Sequence, residues 1–512
     1  MIRKATLLFL LFCLLYHNAT YAQSISSIII DSATQKPVPY ATIQWATKKG
    51  AITNEEGRFS LLLPEGLQKS DSLFISSLGY KSIAKPLEEF DKATIYLVPT
   101  AIELKEVIVS NKQYTAKEIV EKMKEAIHKN YNLAFTKKRL FFRKSSFQQM
   151  HKSDYTLKKS TIKAFNKKFL DSVINTIPKS NSYYTEVLGD LYGNYEEEEQ
   201  KFSLIKASEL YDKNMELDFN KLEEKFNLII KENVKTDSYF KIKSGFFGTK
   251  VDVDELFEEE IDSTDISALN KELKKTKEEE AERKKNFANS RRNALGKMFS
   301  SLPILEDSDL NFIWKSRKYD FTLKDFTYLG SDAVYVIDFK PRRSADFKGT
   351  LYINSDDFAL IRADFENVKS LKTFNLLGIS LNNYLFKGKV IFSKDRGQQK
   401  YSLSYYESER GNRMGVKRPL KIIEKNKRVK GRNKQNELSA KVDLSFANID
   451  KNEVVIFDSE SISKTDFDAF KENNKVLPTY MPTYNPEFWQ GHTIIEPNKA
   501  IEEFTATEVP LK

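Results

Sequence analysis

PVPYATIQWATKKGAITNEEGRFSLLLPEGLQKSDSLFISSLGY, residues 37–80, holds two runs of apolar alternation around a glycine turn. Ala41, Ile43 and Trp45 alternate with Thr42 and Gln44, the pattern of a half-buried strand. Ile52 leads into Thr53-Asn54-Glu55-Glu56-Gly57, where Asn bonds its own backbone and Gly takes positive φ at no steric cost. Phe59, Leu61 and Leu63 resume on one face, Pro64-Glu65-Gly66 breaks the run, and Leu73, Ile75 and Ser77 build a further strand before Gly79-Tyr80. Short strands punctuated this way predict a small β-sandwich.

The same residues resemble the carboxypeptidase-like regulatory domain, a transthyretin-like β-sandwich of many exported Gram-negative proteins. Its pattern runs G-x-V-x-D, P-x-x-x-A-x-V, T-D-x-x-G-x-F and then a hydrophobic strand ending in G-Y. Ile29 and Asp31, then Pro37, Ala41 and Ile43, then Thr53, Asn54, Gly57 and Phe59, then Gly79 and Tyr80 occupy those positions. Ser27 stands where the first Gly is usual, and Asn54 replaces the usual Asp. The likeness spans residues 24–99 and implies a module at 23–100. It brings no catalytic residues, so it implies no peptidase activity.

Outward from the module, the N-terminus reads as a cleaved secretory signal over residues 1–22. Arg3 and Lys4 precede the apolar run Ala5–Tyr16, and Thr20-Tyr21-Ala22 before Gln23 suits cleavage. That run is too short for a membrane anchor. Cys13, the single cysteine, follows Phe12, where lipoprotein signals carry a small residue. The mature chain is therefore expected to have no cysteine, no disulfide and no transmembrane helix. The formal net charge is +10, or +8 without Arg3 and Lys4. Export argues against a nucleic-acid partner for the basic run Lys421–Lys434 (KIIEKNKRVKGRNK), which reads as a solvated loop or a protected edge strand, with contact to anionic lipid or polysaccharide as the alternative.

Beyond the module, residues 101–131 read as a linker strand and a helix. The strand is Leu104–Val109 (LKEVIV), similar to the segment that follows this module in TonB-dependent transporters; the charged helix and the Pro510-Leu511-Lys512 end do not fit such a barrel. The helix spans 115–131, with Thr115 and Glu118 forming a capping box and Ile119, Val120, Met123 and Ile127 on one stripe. Residues 132–250 open a β-rich domain, with strands expected at 140–147, 162–169, 183–191 and 202–205 and a helix at 217–232. Residues 251–298 read as a charged helical insertion, because 269–286 has too few apolar residues for a core. Residues 299–476 form an antiparallel sheet, similar to the half-barrel of lipoprotein carriers through YVIDFKP (335–341), FKGTLYI (347–353) and the Asp356-Asp357 turn. Tyr335, Ile337, Phe339, Tyr352 and Phe365 are expected on one face of it, closed by helix 115–131. Residues 477–512 are a Pro/aromatic arm that packs on its own chain.

The fold expected is thus mainly β with α+β elements: an N-terminal transthyretin-like β-sandwich, then a larger antiparallel curved, half-barrel-like sheet with packed helices. No nucleophile elbow, zinc helix or phosphate loop occurs. His128, His151 and His492 are far apart; Asp307, Asp309 and Asn311 lack the Gly and Glu of a calcium loop; Asp356-Asp357 fits a hairpin turn; and Trp45, Trp314 and Trp489 fit packing. No catalytic, cofactor or metal residue is assigned. The expected role is that of an exported, non-enzymatic envelope protein, periplasmic or peripheral to the outer membrane, acting in binding or assembly. Its partners would be envelope proteins, outer-membrane lipid or cell-surface polysaccharide. A carrier of an apolar ligand in a half-barrel cavity is the alternative, and a glycan- or peptide-modifying enzyme the third reading. Mass spectrometry of the protein from its native envelope should find Gln23 at the N-terminus without an acyl group; a lipidated start at Cys13 would overturn the localisation.

Overall fold

A computed structural model describes residues 24–45, 48–63, 67–68, 70–90, 94–100, 114–235, 237–245, 247–252, 266–394, 399–429 and 433–506. The signal, the exit strand Leu104–Val109, the Pro64-Glu65-Gly66 break and the acidic run 254–260 lie outside them. The chain forms two compact units, residues 1–99 with 486–496 and residues 100–485 with 497–512.

The first unit is a sandwich of two small sheets. Strands β1 (Ser24–Asp31), β2 (Thr42–Trp45), β3 (Lys48–Ile52), β4 (Arg58–Leu62), β5 (Ser72–Ser76), β6 (Ile83–Pro86) and β7 (Thr94–Leu97) pair in the orders β4-β1-β7 and β3-β2-β5-β6. The alternation seen in the sequence supplies its core, with Ile43, Phe59, Leu61, Leu73 and Ile75 buried among Ile29, Phe90 and Leu97. Asn54 Oδ1 accepts from Glu56 N and Arg58 N, and Gly57 has φ +71°. A Cβ there would lie 2.5 Å from the Ile29 carbonyl oxygen, so the turn requires glycine. Thr493 closes the unit: its Oγ1 accepts from Leu62 N at 3.1 Å, so residues 486–496 tie to the edge strand β4.

The second unit is built on a 14-stranded open sheet. Its strands are β8 (Thr136–Ser160), β9 (Ser180–Gly193), β10 (Gln200–Leu210), β11 (Ser238–Ser244), β12 (Phe247–Asp252), β13 (Tyr319–Leu329), β14 (Asp332–Pro341), β15 (Phe347–Asn354), β16 (Leu360–Asn367), β17 (Lys372–Leu376), β18 (Ile379–Lys394), β19 (Tyr401–Asn426), β20 (Lys434–Ser461) and β21 (Thr479–Met481). The main order is β13-β14-β15-β16-β18-β19-β20-β8-β9-β10-β21, with β17 on β18 and the β11–β12 hairpin on β19. All pairs are antiparallel except β10 with β21, where the Pro/aromatic arm joins in parallel. Bulges at Leu323/Asp325, Tyr352/Ile353 and Leu204/Lys206 bend the strands and curve the sheet.

One register row explains the core. Ile337, Leu351, Ala363, Val390, Tyr406, Val454, Phe142, Val187 and Ala207 stand opposite one another across nine strands and are all buried. Helix α1 (Ala116–Asn130) lies on this face through Ile119, Val120, Met123 and Ile127, started by the capping box of Thr115 and Glu118. The Tyr131 hydroxyl donates to the Leu360 carbonyl at 2.7 Å, which fixes the helix end to β16. Phe312 stacks on Phe339 with centroids 4.4 Å apart and touches Phe347 and Phe365, filling the space where the alternative carrier reading places a cavity.

Three expectations change. Residues 162–169 are not a strand: Ile162, Phe165 and Phe169 have the 3-and-4 spacing of a helical face, and Asn166 caps helix α2 (Lys167–Thr176) by accepting from Phe169 N. Tyr352 is on the opposite face from Ile337, Phe339 and Phe365, because its partners are Val336 and Arg362, whose guanidinium lies 5.2 Å over its ring. Helix α4 (Ile266–Ser300), which follows helix α3 (Asn214–Asn233), is exposed over 277–279 and 281–283, yet buries Ala288, Leu295, Met298 and Phe299. It is therefore a solvated rod that ends inside the core.

The next register row, on the other face, is polar: Asp338, Thr350, Asp364, Lys389, Glu407, Glu453, Arg143, Glu186 and Ser208. At β8 and β9 it is fully buried, with the Arg143 and Glu186 side chains 1% and 0% exposed and 2.7 Å apart. Arg143→Met should destabilise the protein by about 3–5 kcal/mol, since it strands a buried carboxylate. Arg143→Met with Glu186→Leu should regain most of that loss in a denaturant titration; an unrecovered double variant would refute the pairing as its cause.

Candidate functional site

An apolar cavity of about 200 Å³ lies where α2 and α3 cover the far ends of the longest strands. Its sheet side is one more register row, in which Ile242 of β11, Ile422 of β19, Leu438 of β20 and Ser160 of β8 stand opposite one another. Opposite it lie Ile162 and Phe165, in the turn before α2, and Phe226 and Ile230 of α3, with Phe165 stacked on Phe226 at 5.5 Å. Phe240 closes one end, while Phe226, Ile242 and Val251 are only half-buried and leave that side open to solvent. Helices amphipathic by spacing, laid over a strand row of Ile and Leu, account for the apolar lining.

Two buried carboxylates border this cavity. Glu424 accepts from Ser238 Oγ at 2.8 Å, Asn436 Nδ2 at 2.7 Å and Lys235 N at 3.2 Å. Glu437 pairs with Lys421 Nζ at 2.7 Å, with Lys434, and with Lys159 Nζ at 3.5 Å. Hydrogen bonds from Lys421 and Lys434, and the charge of Lys159 beyond them, hold its carboxyl at about 2. Three ammonium groups thus share one carboxylate, and the rim is positive. The basic run flagged in the sequence supplies two of them: Lys421 lies on β19, and Lys434 opens β20.

The other residues weighed in the sequence do not meet in a site. His128 is exposed at the end of α1, His151 is exposed on β8, and His492 belongs to the segment 486–496. Asn311 Oδ1 accepts from the Tyr319 hydroxyl, a loop-to-strand tie. Asp357 accepts from Ala359 N, Tyr401 and Lys394, which anchors the β15–β16 turn; burial first, and then Asp357, raise the Tyr401 phenol far above its ordinary value. Trp45 packs on the sandwich core, Trp489 is buried, and Lys124 lies 5.1 Å over Trp314. A shallow groove of about 770 Å³ on the polar sheet face is lined by paired charges, among them Arg362–Asp364 at 2.7 Å and Lys387–Glu409 at 2.9 Å. The apolar cavity was missed because its lining comes from six segments, and Ile162–Phe169 was read as a strand; the spacing of Ile162, Phe165 and Phe169 was the available signal.

The depressed Glu437 carboxyl has a pH consequence. A carboxyl whose folded value lies below its unfolded one stabilises at pH above about 4.5, and that contribution fades as the pH falls to about 2. Glu437→Gln should therefore lower the melting temperature at neutral pH and converge on the wild type between those values; a difference independent of pH would refute the lysine cluster as its source.

Comparison with known proteins gives one domain match. No curated protein matches the chain. Among solved structures, a LolA superfamily protein from Nitrosomonas europaea is 10% identical, with a TM-score of 0.17, over 70% of this chain and 99% of its own. A DUF1329 family protein from Desulfovibrio piger is 9% identical, with a TM-score of 0.18, over 69% and 95%. The MucA/MucB complex of Pseudomonas aeruginosa gives 6% identity and a TM-score of 0.13, over 64% and 93%. Likeness at this level identifies no family for the large unit. Residues 25–109 match the CarboxypepD_reg-like domain, so the chain is a carboxypeptidase-like regulatory domain-containing protein.

Proposed function

We propose that this is an exported, non-enzymatic protein of a Gram-negative-type envelope that acts by binding at the periplasmic side of the outer membrane, and that its large unit holds the hydrocarbon chain of an anionic amphiphile. The cavity beneath α2 and α3 carries this reading: about 200 Å³ lined almost wholly by Ile, Leu, Val and Phe, with three lysines at Glu437. Apolar cavities of this kind stay dry and take up hydrocarbon. The volume is below the 300–1,000 Å³ range of pockets for drug-sized ligands, so the occupant is a single short chain or the end of a longer one. A carboxylate or phosphate head at the rim would meet the shared lysines.

The carrier reading thus moves from the meander between 319 and 365, which Phe312 fills, to the other end of the long strands. Paired charges throughout the polar groove favour a binding role over catalysis, since its carboxylates are already engaged by cations or hydroxyls. The module at 25–109, known from its family, adds a second folded unit without bringing catalytic residues.

Protein purified without detergent should take up a fluorescent fatty acid at one site per chain. Leu438→Trp, which fills the cavity, should lower that uptake at least about tenfold, and Lys421→Gln with Lys434→Gln should weaken it by a smaller factor. Uptake unchanged by Leu438→Trp would reject the cavity as the site.

A further inference from the structure

A second apolar feature lies away from the cavity, on the β17–β18 hairpin. β17 is exposed along its whole length and pairs only with β18. Around it Phe374 is 44%, Leu376 57%, Leu377 50%, Ile379 38% and Met414 42% exposed. The register gathers them: Phe374, Leu381 and Met414 stand opposite one another, and Leu376, Ile379 and Val416 form the adjacent row. Single exposed apolar residues are ordinary, but a contiguous exposed patch marks an interaction surface.

The turn sharpens this. Leu376 and Ile379 pair directly, so Leu377 and Gly378 are a two-residue loop, with φ of +52° and +76°. Positive φ at both positions is the type I′ hairpin turn, whose first position suits Asn, Asp or Gly. Leucine there is strained, and its half-exposed side chain does not recover the cost by burial in this fold. The chain keeps an apolar group at the tip where a polar one would fold better.

The surrounding charge selects the occupant. Lys372 on β17 and Lys417 and Arg418 on β19 are the cations nearest the turn, whereas Lys369, Lys387, Lys394 and Lys421 pair with carboxylates farther along the strands. Lys417 is next to the tip: its N–H donates to the Gly378 carbonyl at 2.6 Å, and its side chain is 79% exposed, with Asp443 at 3.6 Å. Arg413 stands next to Met414 but on the other face of β19, with its guanidinium 4.7 Å over Tyr384. An apolar point inside a basic collar matches an anionic bilayer, with the leucines below the headgroups and the cations among the phosphates.

We propose that the β17–β18 hairpin is a membrane-docking tip, inserting Leu376 and Leu377 into the surface of an anionic lipid bilayer. The hairpin is separate from the acyl-chain cavity and does not depend on it. The test is sedimentation of the full mature chain with vesicles of phosphatidylcholine containing about one third phosphatidylglycerol, against phosphatidylcholine alone. The wild type should sediment with the anionic vesicles and lose binding as salt rises. Leu376→Ser with Leu377→Asn should lower binding at least about tenfold without lowering the melting temperature, because Asn suits the left-handed turn position. Arg413→Gln with Lys417→Gln should weaken binding to the anionic vesicles alone, and Leu438→Trp should leave vesicle binding intact. The proposal is overturned if the wild type sediments with neither vesicle, if the hairpin variant binds as the wild type does, or if that variant alters only the oligomeric mass, which would make the tip a contact between copies of this chain.

Discussion

Register is the constraint on which the large unit depends. One row of apolar side chains from Ile337 to Ala207 crosses nine strands, and the row beside it, from Asp338 to Ser208, is charged or hydroxylated throughout. Side chains alternate with a period of two, so slipping β8 by one residue would carry Arg143 into the core and Phe142 out of it. Long strands such as β8 and β9 have many near-equivalent pairings. The buried Arg143–Glu186 contact admits one of them, which is the role best suited to a charge pair that contributes little net stability.

Much of this was legible from local pattern. The sandwich strands, the Asn54–Gly57 turn, the α1 capping box with its four-residue stripe and each hairpin of the β13–β16 meander declare themselves within about twenty residues, because short-range periodicity and turn chemistry act at that range. Errors arose where the deciding partner was distant. Residues 162–169 carry Ile162, Phe165 and Phe169 among lysines, but Asn166 caps a helix that Phe226, some sixty residues on, holds in place by stacking on Phe165. The face of Tyr352 depends on a register set by neighbouring strands. The highly charged α4 hid its buried last turns, because its average composition is that of a solvated helix.

The cavity illustrates the same limit. Its lining residues, from Ser160 to Leu438, are unremarkable in their own segments and become a site only when β11, β19 and β20 align their tips under two helices. The lysines around Glu437 were visible as a basic run, yet their shared carboxylate was not, since Lys159 comes from a different part of the chain. Composition marked the run as a solvated loop or an edge strand, whereas residues 421–426 lie in β19 between β11 and β20, with Glu424 and Asn426 buried and Ile422 lining the cavity.

The bond from Leu62 to Thr493 joins residues 431 apart in the chain. During synthesis the sandwich strands emerge first, yet the edge of β4 remains uncovered until residues 486–496 follow. Local contacts allow the sandwich to collapse early, whereas this closure waits for the slowest, most non-local event in the chain. A truncation anywhere ahead of residue 493 would therefore be felt at the opposite end of the polypeptide, as an open strand edge available for pairing with another chain. Completion of the first unit thus reports that residues 100–485 have been made.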